Sequence, residues 1–180
     1  MKNLVLLGFL AALATPSLAV VVDFDDLTGS GALAPGYGGV ADWGDFNYYD
    51  SDQFPYNPSS GLVRCYNTVG GIPISFGQAV VFNGCFINGN GDGNGFLPES
   101  FTMYLGGNVV AQSADAHING DGNGVFLDSG YAGMVDAVVV NGTTDFFVID
   151  DFTYNAVPEP ASMVALGLGL AAIVRKRVKR

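Results

Sequence analysis

The chain is poor in the residues that most catalysis and cationic recognition rely on. It has one histidine, His117, and no Ser-His-Asp spacing, nucleophile elbow or zinc pair lies near it. His117 reads as a polar strand-end residue, and the chain as a non-enzyme. Paired carboxylates for glycoside hydrolysis stay open, because only their separation in the fold, about 5 Å or 6.5–9.5 Å, decides that chemistry. Basic residues are almost absent from the middle: between residues 20 and 156 the only one is Arg64, against sixteen acidic residues, a net charge of −15. That field repels phosphate backbones and anionic lipid, and so excludes nucleic acid and a membrane surface as partners of this part. It suits divalent cations and neutral polymers. Helical periodicity is missing as well, and the chain holds a single tryptophan, Trp43.

Cysteine is scarce but even in number, Cys65 and Cys85. In an exported chain such a pair reads as a disulfide closing a loop of about 20 residues, worth roughly 3 kcal/mol in the chain-entropy model. Two buried thiols are the alternative. Cys65 with His117 would suggest a thiol nucleophile, but a bridge consumes that thiol.

The two ends differ from the body. Lys2, the apolar run Leu4 to Ala14 and Pro16-Ser17-Leu18-Ala19 have the order of a secretory signal peptide cleaved after Ala19. At the other end, Pro158-Glu159-Pro160 enforces a stiff extended peptide. Ala161 to Val174 follows without a charge, and then come five basic residues in the last six. As a helix those 14 apolar positions would rise about 21 Å at ~1.5 Å per residue, short of the roughly 30 Å hydrocarbon core. The basic cluster resists translocation and stays cytoplasmic. The tail therefore reads as a marginal membrane stop with a protease-accessible peptide outside it.

This tail, residues 157–180, resembles the PEP-CTERM sorting signal of exported bacterial proteins. The resemblance implies recognition by an exosortase at Pro158, Glu159 and Pro160, removal of the tail, and delivery to the cell surface or extracellular matrix. A plain C-terminal anchor is the competing reading. Three segments result: a signal peptide (1–19), a body (20–156) and a sorting signal (157–180) that is the chain's only membrane contact.

In the body, short runs rich in Val, Ile, Phe, Tyr and Thr are separated by Asn-Gly, Asp-Gly and Gly-Gly pairs. Strands are expected at 20–24, 62–69, 72–76, 79–82, 101–105, 108–114, 124–127, 134–140 and 146–154. Phe101, Met103 and Leu105 alternate with Thr102 and Tyr104, as in a half-buried strand. Many short strands argue for an all-β antiparallel sandwich or barrel whose helices are single turns. With Val21-Val22-Asp23-Phe24-Asp25-Asp26-Leu27 opening it and Phe147 to Tyr154 closing it, the body resembles jelly-roll β-sandwich modules of the galactose-binding type. The predicted whole is such a sandwich flanked by a signal peptide and a C-terminal hydrophobic helix.

Three stretches could carry chemistry. If the first and last strands are neighbours, Asp25 and Asp26 meet Asp150 and Asp151, and clustered carboxylates favour a hard cation such as a structural Ca²⁺; alternate Asp residues facing water are the competing reading. The glycine-rich stretch from Asn88 places oxygen-bearing residues at positions 1, 3 and 5, glycine at 6 and Glu99 at 12, the spacing of an EF-hand loop. The same Asn-Gly and Asp-Gly pairs are turn signals, and an echo at 118–127 has no acid at position 12. Finally, Tyr37, Trp43, Tyr48 and Tyr49 lie interleaved with aspartates. Ring faces stack on sugar C–H faces and carboxylates accept sugar hydroxyls, so this stretch reads as a carbohydrate platform, with plugging of the sandwich end as the alternative. Extracellular polysaccharide is the partner this implies. A structural or adhesive matrix protein with no defined ligand, or less favourably a glycoside-active enzyme, are the competing functions.

Overall fold

A computed structural model describes residues 19–90, 97–142 and 147–157. These fall within one compact unit, Leu18–Val157. The expected signal peptide, apart from Ala19, the motif Pro158-Glu159-Pro160 and the C-terminal helix lie outside the described residues.

The described residues form eleven antiparallel strands: β1 (Ala19–Val22), β2 (Ser30–Ala32), β3 (Phe46–Tyr49), β4 (Arg64–Asn67), β5 (Ile74–Gly89), β6 (Leu97–Leu105), β7 (Asn108–Gln112), β8 (Ala116–Ile118), β9 (Val125–Asp128), β10 (Val135–Asn141) and β11 (Phe147–Ala156). The one helical element among them is a 3-10 turn, Tyr37–Gly39, so the all-β antiparallel expectation holds. No helix of the described residues is long and apolar enough to cross a membrane.

Two long strands organise the sheet. β5 and β11 pair along most of their length, and the pairing is interrupted by register shifts between Asp150 and Tyr154. There Gly84 has φ 141° and Asp151 φ 47°. A Cβ at Gly84 would lie 2.1 Å from the carbonyl oxygen of Leu127, so only glycine lets β9 approach at this bend. On one side of the irregularity, β5 and β11 carry β10, β6 and β7 and, at the other edge, β1; on the other side they carry β4, β3 and β2 and, at the opposite edge, β9. One sheet thus bends into the two layers of a sandwich.

Between the layers runs an aromatic core. Phe82 meets Phe101 edge to face at 4.9 Å and Phe152 at 5.0 Å, and Phe152 meets Trp43 at 5.0 Å. Phe101 and Met103 are fully buried, but Thr102 is buried as well and Leu105 is only half-buried, so the expected alternation holds only in part. β5 differs from expectation: the two short strands at 72–76 and 79–82 are parts of one 16-residue strand that continues to Gly89.

The expected disulfide is corrected here. Cys65 and Cys85 are free and fully buried. Cys65 pairs with Ile149 of β11, and Ile149 pairs on its far side with Ile87 of β5. A whole strand therefore separates the two cysteines. At ~4.8 Å per strand, Cα atoms two strands apart exceed the roughly 7 Å limit for a bridge.

Candidate functional site

Side chains alternate across a strand, and paired residues share a face. With Cys65 and Ile149 turned to the core, Arg64 and Tyr66 of β4, Val148 and Asp150 of β11, and Asn88 of β5 belong to the outer face. Most outer faces carry exposed polar residues, but Arg64, Asn88 and Asp150 are all 0 % exposed. They are buried because the irregular segment between β3 and β4 folds over them.

Each strap is a hydrogen bond to main chain. The Arg64 guanidinium donates to the carbonyls of Ser51, Gln53 (3.4 Å), Tyr56 (2.5 Å) and Leu62 (3.2 Å). Asn88 Nδ2 donates to the carbonyls of Asn57 at 2.8 Å and Gly122 at 3.0 Å. Asp150 accepts the N–H groups of Ser59, Ser60 and its own neighbour Asp151 at 2.8–3.1 Å. Irregular main chain loses its water when it packs on a sheet, and these three side chains replace that water. Burial raises the Asp150 carboxyl from 3.8 to about 7, opposed by the N–H groups it accepts.

Between the strapped segment and the sheet lies a cleft of about 260 Å³, walled by Tyr49, Tyr56, Tyr66 and Gln53 and closed below by Phe147 and Val148. Tyr49 and Tyr66 share a face because Tyr49 pairs with Arg64 and Tyr66 with Asn47. Their rings meet edge to face at 5.5 Å and 75°, and the Arg64 guanidinium lies 4.8 Å from the Tyr49 ring centroid. Burial raises the Tyr49 pKa, with Arg64 opposing, so its hydroxyl stays a donor at neutral pH. The cleft offers ring surface, phenolic hydroxyls and the exposed Gln53 amide.

Of the expected platform, only Tyr49 stands here. Trp43 is 1 % exposed, wedged edge to face between Phe24 and Phe152, with its indole N–H donating to the Tyr37 carbonyl at 3.1 Å. A ring with both sides covered has no face for a sugar, so Trp43 is removed from the platform. Tyr37 stacks on Phe24 at 5.9 Å and donates its hydroxyl to Asp26. Tyr48 pairs with Cys65 and packs against the core. These rings close the sandwich end. Tyr56 closes the aromatic stretch, residues 37–56, in which the platform was expected; Tyr66, beyond it, was not singled out, and strand alternation around Cys65 was the available signal for it.

The expected meeting of the two ends occurs, since β1 and β11 are paired, and it brings Asp25, Asp150 and Asp151, but not Asp26, to the serine pair Ser59 and Ser60. Asp26 turns to Tyr37. Asp25 accepts the Ser60 hydroxyl at 3.0 Å, and Asp151 accepts that of Ser59. A Cβ at Gly61 (φ 54°) would sit 1.8 Å from Asp25 Oδ1, so Ser59-Ser60-Gly61 packs directly between the ends. Serine hydroxyls and backbone N–H groups thus occupy the oxygens a cation would use. Among the described residues no three His, Cys, Asp or Glu side chains converge as a metal group. In the EF-hand-like stretch, Asn88 and Glu99 are buried within β5 and β6, and positions 91–96 lie outside the described residues. Its echo forms a turn in which Asp121 Oδ1 accepts the N–H of Asn123 at 2.9 Å.

Comparison with known proteins bears on the chain's end. Residues 156–180 match the PEP-CTERM protein-sorting motif. The chain carries an exosortase sorting signal. It is exported across the inner membrane and processed by exosortase, and it resides at the cell surface or outside the cell after cleavage. No curated protein and no solved structure matches the chain.

Proposed function

We propose that the exported body is a non-catalytic, polysaccharide-binding sandwich of the jelly-roll kind, which holds the processed protein in extracellular polymer. The observation that carries this reading is the cleft in which Tyr49, Tyr56 and Tyr66 gather beside Gln53. Aromatic surface beside neutral hydrogen-bonding groups suits a sugar ring, which has a C–H face and a rim of hydroxyls. The cleft's volume of about 260 Å³, just below the roughly 300–1,000 Å³ usual for ligand pockets, suits a single ring. The body's net charge of −15 favours a neutral polymer over an acidic one. The strapped segment matters because it holds Gln53 and Tyr56 against the sheet before any ligand arrives, which lowers the ordering cost of binding. A glycan array with the processed, secreted protein tests the reading. Binding to one class of neutral glycan, weakened in Tyr66→Ala, supports it. A blank array for a folded protein leaves the purely structural matrix role.

A further inference from the structure

The turn that carries Gln53 and Tyr56 into the tyrosine cleft presents another ring at its corner. The Tyr56 N–H donates to the Gln53 carbonyl at 2.8 Å, closing a tight turn with Phe54 and Pro55 between them. Pro55 is buried and anchors the corner. Phe54 is 71 % exposed, the most exposed large apolar side chain of the described residues. Fully burying such a ring is worth roughly 1.5–3 kcal/mol, which folding forgoes here. A single exposed apolar side chain is ordinary; this one differs in how firmly it is held.

Arg64 donates to the carbonyls of both Gln53 and Tyr56, so the turn is clamped at each end. The Cδ2–Cε2 edge of the Phe54 ring seats on Gly122, where a Cβ would lie 2.9 Å from Cε2 and 3.3 Å from Cδ2. Gly122 is itself pinned, since its carbonyl accepts from the Asn57 amide at 3.1 Å and the Asn88 amide at 3.0 Å. The glycine-rich echo at 118–127 thus gives the ring a floor of bare main chain, and the remainder of the ring stays open to water. Polar groups surround it: Asp121 and Asn123 flank Gly122, Asp52 and Gln53 precede Phe54, and all four are exposed. Carboxylates and amides bond sugar hydroxyls, and a fixed open ring suits a C–H face. An apolar protein partner fits less well, because covering the ring would take these carboxylates out of water.

We infer that Phe54 is a second stacking subsite, which takes a further pyranose unit of the same neutral glycan chain that places one ring in the tyrosine cleft. This rests on the sugar-binding reading above and adds that the domain grips a run of polymer across the Gln53–Tyr56 turn, whereas a single sugar fills the cleft alone. Once one unit is bound, its linkage holds the next close by, so the second contact tightens binding without a second encounter.

The test is calorimetric titration of the processed, secreted protein with the methyl glycosides and the hexasaccharides of glucose, mannose and galactose. In at least one series, Phe54→Ala should bind the hexasaccharide about tenfold more weakly than wild type, the scale of one aromatic contact, and bind the methyl glycoside as wild type does. Phe54→Trp should keep the wild-type hexasaccharide affinity. Tyr66→Ala should weaken both ligands. Because the ring is exposed, Phe54→Ala should melt with wild type. Three outcomes overturn the inference and leave the tyrosine cleft standing: Phe54→Ala binds the hexasaccharide as wild type does, it loses the methyl glycoside equally, or hexagalacturonate binds as tightly as the best neutral hexasaccharide. Wild-type protein that binds none of the neutral saccharides overturns both the inference and the reading beneath it.

Discussion

Asp150 accepts the backbone N–H of Ser59 at 2.9 Å, joining positions 91 residues apart. This contact fixes the strapped segment to β11, and it makes stability depend on pH. Burial holds the Asp150 proton up to about 7 in the folded state, whereas an unfolded aspartate releases it near 4. Between those values the folded protein binds more protons, so stability falls as pH rises through the window and levels off above it. Thermal midpoints measured from pH 4.5 to 8.5 should decline and then flatten. Asp150→Asn, whose amide oxygen still accepts from Ser59 and Ser60, should abolish most of that decline.

Arg64 reaches four main-chain carbonyls from a fully buried position. Arg64→Met should cost about 3 kcal/mol, since it takes the charged donor from four partly buried main-chain carbonyls. Arg64→Lys should recover less than half, because one ammonium cannot span the spread that the planar fork covers. Urea unfolding curves give both values.

The thiols of Cys65 and Cys85 are pushed well above the usual cysteine range by burial, with the charge of Asp150 adding to the effect. Native protein should therefore react with neither thiol. The unfolded, unreduced protein should react with two. A thiol count of zero after unfolding would mean that the cysteines are bridged and that β11 does not lie between them.

Because Ser59 and Ser60 satisfy the carboxylates of Asp25, Asp150 and Asp151, the junction of the two ends is expected to hold without a cation. Adding a chelator should leave the melting midpoint of the processed protein unchanged. A fall of several degrees, reversed by calcium, would assign these acids the role the sequence suggested.

Much of the frame was legible in the sequence because it is local. Phe101 and Met103 announce their strand by alternation, and the acidic motifs around Asp25 and Asp150 meet because their apolar neighbours pair in the same ladder. What escaped is non-local. Gly77 and Gly84 look like strand breaks, yet β5 runs through both, since the bend is set by the approach of Leu127. Trp43 resembles a surface ring until Phe24 and Phe152, from opposite ends of the chain, close over it. Tyr66 joins Tyr49 only through the β3–β4 register, and no spacing along the chain encodes that pairing directly.

The most direct measurement is co-sedimentation of the processed protein with extracellular polysaccharide from the producing cells, comparing wild type with Tyr66→Ala. Wild type should pellet with the polymer. The variant should remain folded but bind about tenfold more weakly, a difference of ~1.4 kcal/mol and the scale of one lost aromatic contact. Wild-type protein left in the supernatant, or a variant that pellets equally well, would contradict a sugar site between Tyr49 and Tyr66.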